Sequence, residues 1–439
     1  MRTFAIGWRN AAIVGACAAA VMGLVAGVVS ARFEGAVTAE MKEAGRELFV
    51  RQWVAHDPQA HGDGLGPVFN ANSCVACHSQ GGVGGGGDAA HNVVAYEVHP
   101  TVRDRKMQKG LVHAFAINQT FVESRALLKN TFPIIPGGDR VVGGCTVRFE
   151  DFDPVRVETT NSIALFGDGL IDRLSESTIR VSHVGRFAKQ MGREFGGDFQ
   201  TIGSGRPRNL SGGRLGKFGW KAQFATLEEF VAAACANELG LGNPLMQQAK
   251  PLGKDYCCEE SDLTRQEFRQ LVAFVDAIPR PVEVLPKDAR QREIATRGKK
   301  LFTSIGCAEC HTPDLGNVAG IYSDLMLHSV TSNESDGYQH QIIVEIPLPQ
   351  DHPKPDEWRT PPLWGVADSA PYFHDGGSGT LYDAILRHEG DAAVVTKAFK
   401  ALAAEDQQSL ITFLKTLRAP SAIEPSHGQP AATAVAANR

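Results

Sequence analysis

Two stretches decide the reading of this chain: Cys74-Val75-Ala76-Cys77-His78 and, far downstream, Cys307-Ala308-Glu309-Cys310-His311. In each, two thiols three residues apart can form thioethers to the two vinyl groups of a haem, while the histidine that follows binds the iron. A bare Cys-x-x-Cys pair also suits half a zinc site or a thioredoxin-like redox pair. Zinc, however, would need four ligands drawn from two remote pairs, and an adjacent histidine in both copies turns the reading to haem. The expectation is two covalently bound haem c groups, attached at Cys74, Cys77, Cys307 and Cys310, with His78 and His311 as iron ligands.

Outward from the motifs, the layout repeats. Residues 38–50 read as a short amphipathic helix capped by Thr38 with acidic residues in its first turn. A Gly-, Asp- and Pro-rich loop from Asp57 to Asn72 then delivers Cys74. Gly81, Gly82 and Gly84 to Gly87 permit close backbone approach to a bulky planar group, or form a plain flexible loop. From Val93 to Phe149, β-branched and aromatic patches between turn residues predict a few strands or an irregular insertion. Helical patterns return at Leu227–Asn237 and Thr264–Ile278; Pro279, Pro281 and Pro286 mark a linker; Gln291–Phe302 is amphipathic and leads to Cys307; Glu405–Leu417 closes the chain. Helix, motif, loops and closing helix make the layout of a class I cytochrome c domain. The expected fold is therefore mainly α: two class I cytochrome c-like domains with long loop and short-strand insertions, mostly in the N-terminal half. They cover 38–280 and 291–418, joined by the linker 281–290, with an Ala-, Pro- and Ser-rich tail at 419–439. Leu165-Phe166-Gly167 follows the first motif much as Leu363-Trp364-Gly365 follows the second, a weak internal repeat.

With 439 residues there is room for two or three domains, and a net charge of -5 leaves no basic field for nucleic acid. Arg2 and Arg9 precede an uncharged apolar run, Ala11 to Val29, and Val29-Ser30-Ala31 offers a small-residue cleavage site. Residues 1–31 read as an export signal or, alternatively, an uncleaved membrane anchor. Either places the rest in an oxidising, periplasmic space; Cys17 lies inside the run. Cys145, Cys235, Cys257 and Cys258 then default to one or two disulfides, with three connectivities open. A vicinal Cys257–Cys258 bond would be strained, so one of that pair is expected to bridge to Cys235 or Cys145.

Residues 359–381 carry a family resemblance. Arg359-Thr360-Pro361-Pro362-Leu363-Trp364-Gly365, then Ala370-Pro371-Tyr372-Phe373-His374-Asp375-Gly376 and Thr380-Leu381, resemble the C-terminal haem domain of bacterial di-haem cytochrome c peroxidases and their MauG relatives. With Gly169–Asp172, Phe218–Ala222 and Tyr322–His328, the chain looks more closely like the di-haem oxidoreductase subfamily, often labelled as peroxidases or thiol oxidoreductases. The resemblance implies that the second iron takes a distal ligand at the fourteenth residue after the histidine of the Phe-His-Asp-Gly motif. Counting from His374 gives His388, and a His311/His388 pair would lower the potential relative to His/Met; a surface histidine is the alternative.

At the first iron His78 fills the proximal place, and His91, His99 and His113 lie downstream without a distal motif. Peroxide chemistry asks for an open iron position and an acid/base group. Asp172 is the candidate for the latter, against the plainer reading of a helix-start carboxylate. Trp220 and Trp364 are candidates to relay electrons between haems, or to pack as buried aromatics. Thr159-Thr160-Asn161-Ser162 stands where the second half has Arg-Thr-Pro-Pro, which weakens the transfer of roles to the first haem. Some relatives hold calcium between the domains; no residue here is assigned to it.

The leading expectation is an enzyme, a periplasmic di-haem oxidoreductase of peroxidase type. A small redox protein would donate electrons to the C-terminal haem, and the N-terminal haem would act on peroxide or another small-molecule or protein substrate. The alternatives are a thiol, protein or polymer oxidase on the same scaffold, and a non-catalytic electron carrier.

Overall fold

The computed structural model describes residues 37–100, 107–121, 125–195, 202–252, 256, 261–331 and 351–420. Residues 1–31, Cys257, Cys258 and all but the first two residues of the tail lie outside that set. Among the described residues no helix is long and apolar enough to cross a membrane.

Two helical frames organise the chain from Met41 onward. The first pairs an opening helix, Ala39–Val50, with a closing helix, Arg265–Ala277; the second pairs Ala289–Ser304 with Ala404–Leu414. The same local sequence builds each opening helix: Gly45-Arg46-Glu47-Leu48-Phe49 and Gly298-Lys299-Lys300-Leu301-Phe302. The glycine lets the helices touch backbone to backbone. A Cβ at Gly45 would run into the Gln270 carbonyl, and one at Gly298 into the Ser409 carbonyl. One turn later the phenylalanine meets a phenylalanine of the closing helix, Phe49 on Phe274 at 5.2 Å between ring centres and Phe302 on Phe413 at 5.4 Å. All four sit on helices and three are at most 3 % exposed; burying each such ring contributes roughly 1.5–3 kcal/mol.

The caps match the sequence signals. Thr264 and Glu267 form a reciprocal capping box at the first closing helix, and Asp288 caps the second opening helix through Gln291 N–H; each such cap is worth about 1 kcal/mol. Between the frames, Val93–Val98 pairs antiparallel with both Gln108–Val112 and Val155–Thr160, and Gly138–Val142 forms a hairpin with Cys145–Phe149. With three further two-stranded sheets among the described residues, the chain mixes helix and strand more evenly than a mainly α reading expects. A helix that no periodicity argument picked out, Glu176–Phe195, runs 20 residues.

The Leu-Phe-Gly and Leu-Trp-Gly repeat marks a reciprocal joint. Gly167 and Gly365 both adopt left-handed backbone, φ +74° and +68°. A Cβ at Gly167 would collide with the Trp364 ring, and one at Gly365 with the Phe166 ring. Each glycine is the seat of the other motif's aromatic, and Phe166 and Trp364 are buried as a result.

Candidate haem sites

Each motif histidine is set by its own frame. His78 follows a single helical turn, Cys74–Cys77, and His311 follows a 3-10 turn, Cys307–Glu309. Phe49 lies 6.4 Å from the His78 ring and Phe302 lies 6.4 Å from the His311 ring, at similar tilts of 47° and 52°. In both, Nδ1 points to a main-chain carbonyl: His78 to Gly85 O at 3.1 Å, His311 to Tyr322 O at 2.9 Å. Such a bond fixes the tautomer and turns Nε2 outward as the ligand atom. Burial pushes both histidines down to about 4, with His388 adding to the effect at His311. Neutral imidazole is the ligand form. Burial likewise pushes the Cys77 and Cys307 thiols up to about 12 and raises Cys74 further, so none of the three ionises readily.

The two sites part on the far side. His388 faces His311, ring centres 6.5 Å apart, and donates from Nδ1 to Ala384 O at 2.8 Å. It follows the short helix Leu381–Leu386, whose cap Thr380 bonds Asp383 N–H. Imidazole nitrogens bind first-row metal ions at about 2.0–2.1 Å, so two rings on one ion stand with centres roughly 6 Å apart. The observed pair fits that separation. Facing His78, by contrast, is the Ile163 main chain, and among the described residues no second histidine ring stands against it. His91 is tied to Asp88 at 2.7 Å, His99 lies edge-on to Phe152, and buried His113 donates from Nε2 to Asn237 O at 2.9 Å.

A cavity runs from the His311/His388 pair past Phe302, Leu381 and Leu414 to Trp358 and His374. Three buried N–H donors on its wall lack an acceptor: Arg359 Nη1, Trp358 Nε1 and Trp364 Nε1. An unpaired buried donor is costly, and burial pushes the Arg359 guanidinium down to about 10. Donors in that position fit a ligand bringing carboxylates, as haem does. The residues present therefore fit the group.

Of the other sequence candidates, Trp220 is in the cavity wall, its Nε1 donating to Asn161 O at 2.8 Å and its ring edge-on to both Trp358 and His374. Trp358 and His374 stack at 3.6 Å, with the Lys221 ammonium 3.4 Å from the centre of the Trp358 ring. Asp172 is not among the cavity residues: its carboxylate accepts Leu227 N–H at 3.0 Å and pairs with Lys217 at 3.8 Å, which ties one helix start to the next element. Sequence reasoning passed over two buried carboxyls, which likewise lie outside the cavity wall. Asp168 is buried within reach of Arg359, and burial pushes it up to about 7. Glu238 lies close enough to raise the Cys77 thiol, accepts from Asn70 at 2.8 Å, and burial pushes it up to about 7.

Cys145 is exposed and Cys235 is buried within electrostatic reach of Cys74; both are unbonded thiols. The group of side chains closest to a metal-binding set among the described residues is Cys310, Asp324 and His328. A thiol and an imidazole do not make the all-oxygen shell calcium takes.

The family described as "Di-haem oxidoreductase, putative peroxidase" matches residues 144–417. This chain belongs to that family. It is an oxidoreductase, and the family works with two haems. A curated relative, hydrazine synthase subunit gamma of Kuenenia stuttgartiensis, is 28% identical over 151 residues, 30% of this chain and 42% of that protein. The match thus spans less than half the length of that relative. Among solved structures, hydrazine synthase of the same organism aligns with a TM-score of 0.40 at 15% identity, covering 87% of this chain and 89% of that one. The diheme peroxidase BthA of Burkholderia thailandensis aligns at 0.31 and 15% identity over 88% and 89%. A MauG-like protein associated with microbial copper homeostasis aligns at 0.30 and 18% identity over 48% and 74%.

Proposed function

We propose that this oxidoreductase carries both haems covalently, through Cys74 and Cys77 and through Cys307 and Cys310, in two cytochrome c-like domains covering 38–280 and 291–418. It works in the periplasm, released from or anchored by residues 1–31. The observation that carries the division of labour is the histidine opposite His311 and its lack of a counterpart at His78 among the described residues. A second axial imidazole closes the C-terminal site to substrate and suits it to electron entry from a small redox protein. The N-terminal site, with one histidine, is where peroxide or a related small molecule meets the iron. Bound haem supplies the electron-accepting and electron-donating centre at each site.

The chain's own residues do the rest. His311 and His388 are held by Tyr322 O and Ala384 O, so ring rotation is fixed before any ligand arrives. Glu238, its carboxyl pushed up to about 7 by burial beside Cys77, can hold or release a proton next to the first site near neutral pH. Asp172, the sequence candidate for that task, is tied to Leu227 and Lys217. Trp364, seated on Gly167, and Trp220, edge-on to the Trp358/His374 stack, are the aromatic groups between the two halves able to pass electrons.

Electron paramagnetic resonance of the isolated full chain, combined with a peroxide assay, tests this. One low-spin bis-histidine signal, one signal of different ligation and peroxide-dependent turnover are expected. Two identical six-coordinate signals with no turnover would overturn it. His388→Ala should convert one haem, and only one, to high spin in the visible spectrum.

A further inference from the structure

Beside the second motif lies a charged cluster that none of the roles above uses. His328 is 1% exposed and Asp324 is 0%. Both ring nitrogens of His328 face acceptors: Nε2 is 2.8 Å from Asp324 Oδ2, and Nδ1 is 3.3 Å from Asp391 Oδ2 and 3.6 Å from Cys310 Sγ. A neutral imidazole has one N–H, so satisfying both sides requires the doubly protonated ring. Burial disfavours a charged ring; the Asp324 and Asp391 carboxylates, each facing one ring nitrogen, oppose it and hold His328 above its ordinary value. Asp324 in turn is opposed by burial and held low by His328 and Arg186, and it also accepts Met326 N–H.

The position of the ring is imposed. Gly205 has φ +64°, and any side chain there would occupy the space of the His328 imidazole. Arg186 comes from the helix Glu176–Phe195, and it also bonds the Glu309 carbonyl inside the second motif. That helix therefore braces the cluster against the motif. At the first motif no imidazole takes that place among the described residues: Cys77 has Glu238, its carboxyl pushed up to about 7 by burial, and Asp88 as neighbours, with a Ser162 hydroxyl bonded to it.

We propose that His328 is a positioning residue that sets the reduction potential of the second haem above the value its two histidines alone would give. The inference rests on the covalent attachment proposed for Cys310. An N–H and a positive charge against the thioether sulfur stabilise the reduced, less positive iron. With an imidazolium against Cys310 and none against Cys77 among the described residues, the protein's own charges separate the two potentials.

The test is a potentiometric titration of the full-length holoprotein, each haem followed by its own spectrum. His328→Gln should lower the midpoint of the bis-histidine haem and leave the other unmoved. Should the lone Asp324 carboxylate prevent folding of that variant, His328→Gln with Asp324→Asn replaces the charged pair by two amides while Arg186 keeps the Glu309 carbonyl as acceptor, and should move the same midpoint in the same direction by less. Unchanged midpoints, equal shifts of both haems, or a rise at the second haem would overturn the proposal. Pyridine haemochrome and metal analysis of the wild type separate this failure from failure of the attachment itself. Two covalent haems and no zinc support the frame, whereas one covalent haem with a stoichiometric zinc would assign Cys310, Asp324 and His328 to that metal and overturn both.

Discussion

The two halves are built alike and furnished differently. Gly45 and Phe49 repeat as Gly298 and Phe302, Gln270 and Phe274 as Ser409 and Phe413, and His78 and His311 point the same nitrogen at main-chain carbonyls. What differs is the ligand side and the local charge: His388 and an imidazolium in one half, Ile163 main chain and a neutral carboxyl in the other. A common frame fixes the placement of each motif histidine against a phenylalanine of its opening helix. A handful of side chains outside that frame then sets what stands opposite each proximal histidine, and the division of labour proposed for the two sites rests on that difference.

The largest effect should come from removing one attachment point. Cys307→Ala with Cys310→Ala is expected to halve the covalent haem content measured by pyridine haemochrome while the first site's spectrum persists; loss of both haems would show that the halves do not fold around their cofactors separately. Next come the helix contacts. Gly45→Ala or Gly298→Ala drives a methyl group into a backbone carbonyl, a clash costing about 1–3 kcal/mol in thermal unfolding. Gly379→Ala, where a Cβ meets nothing, should stay within about 0.5 kcal/mol. Equal losses at Gly45 and Gly298 would strengthen the equivalence of the frames, and a large difference would break it.

Glu238 gives a pH-dependent contrast. Its carboxyl ionises near 4.5 ordinarily and near 7 in the fold, so the folded state keeps a proton that the unfolded chain has given up, and stability falls as pH rises from about 4.5 through 7. Glu238→Gln removes that loss. Its stability relative to wild type should grow between pH 5 and pH 8 in urea unfolding, and a flat difference would mean the carboxyl is not held neutral. The smallest effect is expected at Asp172: Asp172→Asn should cost about 1 kcal/mol or less through a weakened bond to Leu227 N–H, with turnover per folded molecule unchanged. A selective fall in turnover would return Asp172 to the active site.

The haem motifs and helices were legible because their signals are local. The helical pattern from Thr264 is read within a few turns of chain, whereas His388 came from the family resemblance, counted fourteen residues on from His374. The Gly-x-x-Leu-Phe repeat escaped notice because the first copy is separated from its motif by the loop Asp57–Asn72, whereas Phe302 is almost adjacent to Cys307. His328 escaped for another reason: its environment is assembled from Asp324, Asp391 and a distant Arg186, and no spacing rule links those positions. Asp172 stood out as an acidic residue near a family-like segment, but its carboxylate turned to the nearest unsatisfied N–H. The strands between Val93 and Phe149 were foreseen as a class from β-branched runs, while their partner Val155–Thr160 lay beyond the stretch the pattern covered.

The reciprocal seats of Gly167 and Gly365 also bear on how the chain is made. As it emerges N-terminus first, Gly167 is in place while the indole that fills its seat is still almost two hundred residues away, and Phe166 waits as long for Gly365. Contacts of such separation form late and slowly. The first half therefore stands with the Gly167 seat uncovered until the second half has been made and Trp364 can close the joint.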